Sequence, residues 1–190
     1  MSQSNHPRAP LRRLTTAALL TAAGFVLSYI EAILPFSIGI PGVKLGLCHI
    51  ITLISLYRLT VWETAAVTAV RVSLTTLLFG NAASLAYSAA GAAVSLLVML
   101  AARRMTVHTT RRIPRRKQTT ERPATSAFSP IGISLLGGVT HNLAQLATAA
   151  VLMQTPGILT YLPVLLLAGT VTGVVIGLTA AAVLRRLPHT

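Results

Sequence analysis

Apolar runs closed by arginine, proline or glycine recur along this 190-residue chain, and any fold must find somewhere to put them. The first extends from Leu14 to Leu34 and ends at Pro35, and the second covers Leu45 to Tyr57, closed by Arg58. Thr64 to Phe79 is stopped by Gly80-Asn81, and Leu85 to Ala102 by Arg103-Arg104. Ile131 to Met153 and Pro163 to Leu184 complete the set, the last ended by Arg185-Arg186. A helix needs about 20 apolar residues to cross a hydrocarbon core roughly 30 Å thick. The second and third runs are short for isolated spans, which suits a compact bundle whose members share burial. Apolar residues make up 53% of the chain and charged residues 10%, with mean hydropathy +0.72. A soluble domain carries about 25% charged residues. The expectation is an all-α integral membrane bundle of six transmembrane helices, one domain over residues 1–190.

Charge placement supports that count. With the N-terminus inside, the inner segments hold Arg8, Arg12, Arg13, Arg58, the eight basic residues from Arg103 to Arg122, Arg185 and Arg186. The outer side holds Lys44 alone, and Arg71 falls within a span. This is the positive-inside pattern of a multi-pass protein of the cell membrane with both termini cytoplasmic. The first run is too long for the apolar core of a signal peptide and no A-x-A site follows it, so it is expected to stay as a span. The basic loop 103–126 has no aromatic residue interleaved for base stacking, so it predicts contact with membrane lipid and no nucleic-acid partner.

Polar residues inside the runs follow helical steps of three and four. Ala17, Thr21, Gly24, Ser28 and Glu31 mark one face of the first run, and Thr64, Thr68, Arg71 and Thr75 one face of the third. The fifth carries Ser134, Gly138, His141, Gln145 and Thr148, with Asn142 beside them. Small-residue stripes, Ser84-Ser88-Gly91-Ser95 and Gly169-Gly173-Gly177, predict close helix packing. Ala18 and Ala22 form another such face, which also suits a partner membrane protein. Packing does not account for Arg71, since an arginine at mid-span costs about 2.5–3.5 kcal/mol on insertion scales. It needs a carboxylate, a watery cavity or an anionic ligand. Two readings follow: a Glu31–Arg71 ion pair that pins two helices, or a binding site open to the outer side.

The candidate ligand-binding set is Glu31, Lys44, Arg71, His141, Asn142 and Gln145. Arg71 and Lys44 would meet negative charge, Glu31 would hold Arg71 in the empty site, and the other three would hydrogen-bond the ligand. The segment Pro35 to Lys44 is either a rigid turn or a lid over that site. No catalytic residues are assigned: the chain has no aspartate, three glutamates and one cysteine. Paired carboxylates for a magnesium diphosphate, a nucleotide-binding P-loop, and Cys/His spacings for zinc or an iron–sulfur cluster are all missing from the sequence. As a catalyst the chain is poorly equipped, and it carries no metal site or cofactor of its own in this reading.

Several motifs carry a family resemblance. Ile30-Glu31, Ile40-Pro41-Gly42-Val43-Lys44-Leu45-Gly46-Leu47, Arg71-Val72, Leu78-Phe79-Gly80 and Phe128-Ser129-Pro130-Ile131-Gly132-Ile133-Ser134 are among them. His141-Asn142-Leu143-Ala144-Gln145, Tyr161-Leu162-Pro163-Val164-Leu165 and the glycines 169, 173 and 177 complete the pattern. Together they resemble the Gx transporter family, also called heptaprenyl diphosphate synthase component I, over about residues 14–102 and 127–184. That family is similar to the substrate-binding S components of energy-coupling-factor transporters. The resemblance implies a six-helix protein that takes a vitamin- or isoprenoid-like ligand from the outer side and works with a transmembrane coupling protein and an ATPase pair. Two alternatives come with it: a non-catalytic membrane subunit for heptaprenyl diphosphate or menaquinone synthesis, or an extracellular electron-transfer subunit linked to flavin or quinone. The family pattern has Ala-Asn where this chain has Cys48-His49, which adds His49 to the candidate ligand contacts.

Overall fold

The computed structural model describes residues 8–33, 46–112 and 129–186. Along the chain run α1 (Arg8–Ile33), α2 (His49–Arg58), α3 (Val61–Phe79), α4 (Ala82–Arg112), α5 (Pro130–Leu152), a 3₁₀ turn (Pro156–Tyr161) and α6 (Leu162–Arg186). No strand occurs among the described residues. The all-α expectation holds, and six helices form. Four segments are long and apolar enough to cross a membrane: Leu11–Glu31, Ala82–Met105, Pro130–Leu152 and Pro156–Arg186. The chain is a membrane protein of helical type.

The second expected span is altered most. The apolar run covers 45–57, but the helix begins at His49 and has 10 residues, a rise of about 15 Å, half of what a crossing needs. The third, α3, has 19 residues but carries Glu63, Arg71 and four threonines, so its apolar content falls short of the other spans. In the opposite sense, α4 continues past Ala102 to Arg112, about three turns into the segment expected to be a loop. Residues 113–128 lie outside the described residues.

Helix ends follow local chemistry. Thr60 caps α3 in a reciprocal box: its hydroxyl accepts the Glu63 N–H at 3.3 Å, and the Glu63 carboxylate accepts the Thr60 N–H at 2.7 Å. Ser129 caps α5 by accepting the Gly132 N–H at 3.3 Å, with Pro130 in the first turn, where no N–H is missed. Within the helices, threonine hydroxyls donate to the carbonyl four residues back, as Thr68 does to Thr64 and Thr76 to Val72. That internal bond makes a hydroxyl tolerable in an apolar setting.

The bundle is tightest between α5 and its neighbours α4 and α6. The glycine stripe of α6 explains the second contact. A Cβ at Gly177 would lie 2.6 Å from Ile131 Cα, and one at Gly173 2.8 Å from Leu135 Cα. Opposite them, a Cβ at Gly138 would lie 2.9 Å from the Gly169 carbonyl oxygen. Gly169, Gly173 and Gly177 therefore sit where α5 and α6 approach closely within the chain. Ala18 and Ala22, by contrast, are exposed on α1.

Short as it is, α2 occupies the middle of the bundle, against α1, α3, α5 and α6. Its Leu53, Ile54 and Leu56 join Met99 and Ala102 of α4, Ile133 of α5 and Ala180 of α6 in one core. On its other side, Ile51 packs with Val67 of α3 and Ala17, Leu20 and Leu27 of α1. At its C-terminal end, Arg103 Nη1 donates to the Leu56 carbonyl, and the guanidinium lies 5.2 Å from the centre of the Tyr57 ring. This satisfies a carbonyl that a helix end leaves open and sets a cation at the negative pole. The arginine-rich helix ends thus gather at one end of the bundle, and α2 fills only that half. Leu77, Leu97, Leu167, Val171 and Val175 project outward from the bundle, as expected of side chains that meet lipid.

Candidate functional site

The N-terminus of α2 stops at the level of Arg71, and the polar stripes meet there. Gly46 adopts a left-handed conformation (φ +79°) that turns the chain into the helix. That φ favours glycine, and a Cβ at the position would also press on the His49 ring at 3.1 Å. Cys48 leads into the helix without a side-chain cap. The His49, Ile50 and Ile51 N–H groups instead donate to the carbonyls of Gly46, Leu47 and Cys48, at 2.8, 3.2 and 3.1 Å. From α1, the Glu31 carboxylate accepts the Gly46 N–H, holding this turn against the bundle.

Around the turn lies a cavity of about 30 Å³. Ser28 of α1, Gly46 and Cys48, Arg71, Val72, Thr75 and Thr76 of α3, Ser88 of α4, and His141 and Gln145 of α5 line it. Arg71 is 4% exposed. Its Nη1 donates to Ser28 Oγ at 3.5 Å, while its Nε has no hydrogen-bond partner among the described residues. The Thr75 hydroxyl, both His49 ring nitrogens and Gln145 Oε1 are likewise buried without one. His49 and His141 meet edge to face, ring centres 4.4 Å apart. Glycine again makes room. A Cβ at Gly24 would lie 2.8 Å from Arg71 Cδ, and one at Gly91 would lie 3.0 Å from the His141 ring and 2.9 Å from Gln145 Cγ.

Of the expected site residues, the structure brings Arg71, His141 and Gln145 into the lining and sets His49 against His141. Glu31 is buried nearby, and its carboxylate accepts the Gly46 N–H. Asn142 turns the other way: its amide donates to the Leu165 carbonyl at 3.0 Å and lies beside Gly169, clamping α5 to α6. Lys44 and the segment 35–44 lie outside the described residues.

Sequence patterns missed Gly46, Cys48 and Thr76, and placed Ser88 in a packing stripe. The turn residues precede a helix whose start was set four residues too early, so nothing marked them as facing inward. Ser88 sits one turn before Gly91, and that glycine was the signal that α4 approaches the His141 side. Chemically, the described lining is rich in hydrogen-bond donors and, among the described residues, carries one permanent charge, that of Arg71. Among the described residues no three His, Cys, Asp or Glu side chains gather to hold a metal ion.

Comparison with known proteins adds one positive finding. The sequence family described as heptaprenyl diphosphate synthase component I matches residues 20–183. No curated protein and no solved structure matches the chain. A match running from the middle of α1 almost to the end of α6 takes in every residue that lines the cavity, and the chain belongs to the heptaprenyl diphosphate synthase component I family.

Proposed function

We propose that this chain is the membrane-embedded substrate-binding component of a transporter, capturing a small anionic or amphipathic ligand from the outer side at the Arg71 cavity. The observation that carries the proposal is Arg71 itself. An arginine at the middle of a helix and 4% exposed is too costly to keep for packing alone. Buried ionisable groups of this kind mark ligand or ion sites in membrane proteins. The surrounding donors on Thr75, His49 and His141 and the Gln145 amide supply orientation. The arginine-rich end faces the cytoplasm by the positive-inside rule, so the cavity, beyond the N-terminus of α2, is reached from outside. The exposed Ala18/Ala22 face would receive a transmembrane coupling protein that brings the ATPase pair.

The cavity of about 30 Å³ is far below the roughly 300–1,000 Å³ of a small-molecule site. Ligand binding on this proposal therefore opens the outer half of the bundle. Purification in mild detergent followed by mass spectrometry of bound small molecules is the test. The wild-type chain is expected to carry a stoichiometric ligand, and Arg71→Ala to lose it while keeping its helical circular dichroism. Loss of folding in Arg71→Ala, with no ligand in the wild type, would return Arg71 to a structural role.

The family description favours one other reading, a membrane subunit accompanying a prenyl diphosphate synthase. With no aspartate in the chain, it would be a non-catalytic companion. That reading expects co-purification with a soluble, aspartate-rich synthase whose activity rises on mixing.

A further inference from the structure

We infer that the ligand's anchoring group is a compact oxyanion, a carboxylate or a phosphoryl group, seated between the Arg71 guanidinium and the N-terminal end of α2. The inference rests on the cavity being the ligand site and adds what kind of group enters it. Charge gives the first argument. Among the described residues, Arg71 is the permanently charged member of the lining and no carboxylate lines it. The Glu31 carboxylate accepts the Gly46 N–H and is not among those lining residues.

The second argument is the set of side-chain donors. Gly46 and Cys48, where α2 begins, form one wall of the cavity, but the His49, Ile50 and Ile51 N–H groups behind them are bonded to backbone carbonyls and the Gly46 N–H to Glu31. Arg71 Nε and the Thr75 hydroxyl are unpartnered donors, each on a residue 4% exposed. His49, 5% exposed and outside the lining, packs edge to face on the lining His141. Gln145 presents an unpartnered amide oxygen, and a half-turn of the amide presents its NH₂ group instead. A cationic or neutral apolar group would leave this donor set unsatisfied, at about 1–3 kcal/mol for each buried group.

Size is the third argument. One water needs about 10–15 Å³ of such space, so a cavity of about 30 Å³ takes roughly two oxygen-sized atoms. That is the reach of one carboxylate or the inner oxygens of one phosphoryl group. The rest of the ligand extends beyond the cavity.

The chain supplies its own reporter. Cys48 is its single cysteine, is 7% exposed and lines the cavity. Two methanethiosulfonate reagents of similar size, one ending in a sulfonate and one in a trimethylammonium, are reacted with the full chain in mild detergent. Each rate is normalised to the same reagent's rate with a small thiol in water. The sulfonate is expected to react about tenfold faster, the effect of 1.4 kcal/mol from one nearby charge at intermediate dielectric. Arg71→Gln is expected to abolish that preference and Arg71→Lys, which keeps the charge, to retain most of it.

Inorganic phosphate and acetate are then added as competitors. Protection by phosphate identifies a phosphoryl group and protection by acetate a carboxylate. No protection by either, a preference for the cation, equal rates, or no reaction with either reagent overturns the inference. Should Arg71→Gln not fold, the wild-type and Arg71→Lys ratios decide. A stoichiometric ligand lacking any acidic group would sink the oxyanion while leaving the substrate-binding proposal standing. Sulfonate preference with no ligand found by mass spectrometry would sink the substrate-binding proposal and the inference with it, leaving only a cavity that attracts anions.

Discussion

Arg71 was legible from the sequence because a guanidinium in an apolar run needs a carboxylate, a watery cavity or an anion, and His141 and Gln145 because they share one face of their helix. What the stepping could not give was direction within a face. Asn142 adjoins His141 in sequence, yet its amide donates to Leu165, since helix rotation is set by the glycine contacts of α6. Arg71 depends on a glycine of its own. At Gly24 an added Cβ would meet Arg71 Cδ at 2.8 Å and Ile51 Cγ2 at 3.3 Å, and the middle of a buried arginine has little room to give. Gly24→Ala is therefore expected to weaken ligand binding at least tenfold, by displacing the guanidinium about 1 Å, while the helical content stays as in wild type. Equal binding by the two proteins, measured by ligand retention in detergent, would show the side chain is free to move.

At the scale of elements, all six helices were visible as apolar runs, and α5 and α6 end within two residues of theirs, whereas the start of α2 and the end of α4 were not visible. Hydropathy cannot see a cap, and α3 owes its start to Thr60 and Glu63, neither of which is apolar. Glu63 is held below the ordinary glutamate range by the Thr60 backbone N–H and then the Thr60 hydroxyl. A carboxyl whose value is depressed on folding stabilises the folded state above its unfolded value, and that contribution fades as pH falls through the folded one. Melting in detergent is thus expected to drop on acidification below the ordinary glutamate range, with a shallower drop in Glu63→Gln. Thr60→Ala is expected to cost about 1 kcal/mol at neutral pH, the usual loss of an N-cap. In α6, Gly177→Ala forces a methyl to within 2.6 Å of Ile131 Cα. Backbone cannot step aside cheaply, so about 1–3 kcal/mol of destabilisation is expected, read as a lower melting temperature. The start of α2 was hidden for another reason: residues 45 to 48 are as apolar as the helix, and only the positive φ of Gly46 separates them.

For the molecule as a whole, the charge count anticipated that helix ends bearing arginine would share one side, and the structure gathers them so. Reporter fusions that are active only in the cytoplasm are expected to work at both termini. Activity at one terminus alone would mean an odd number of crossings. Less foreseeable was that the central helix is a stub. Arg103 holds its base, through the Leu56 carbonyl and the Tyr57 ring, and its head stands at mid-bundle, so α2 fills the half that carries Arg103. On the proposed function a charged solute that enters from the other half descends through part of the membrane field to reach Arg71. Across a full membrane each charge is worth about 2.3 kcal/mol per 100 mV, so halfway down about 1 kcal/mol is at stake. In a cell whose interior is negative, an anion arriving from outside climbs that slope. Collapsing the potential with an ionophore is therefore expected to tighten uptake-competent binding several-fold.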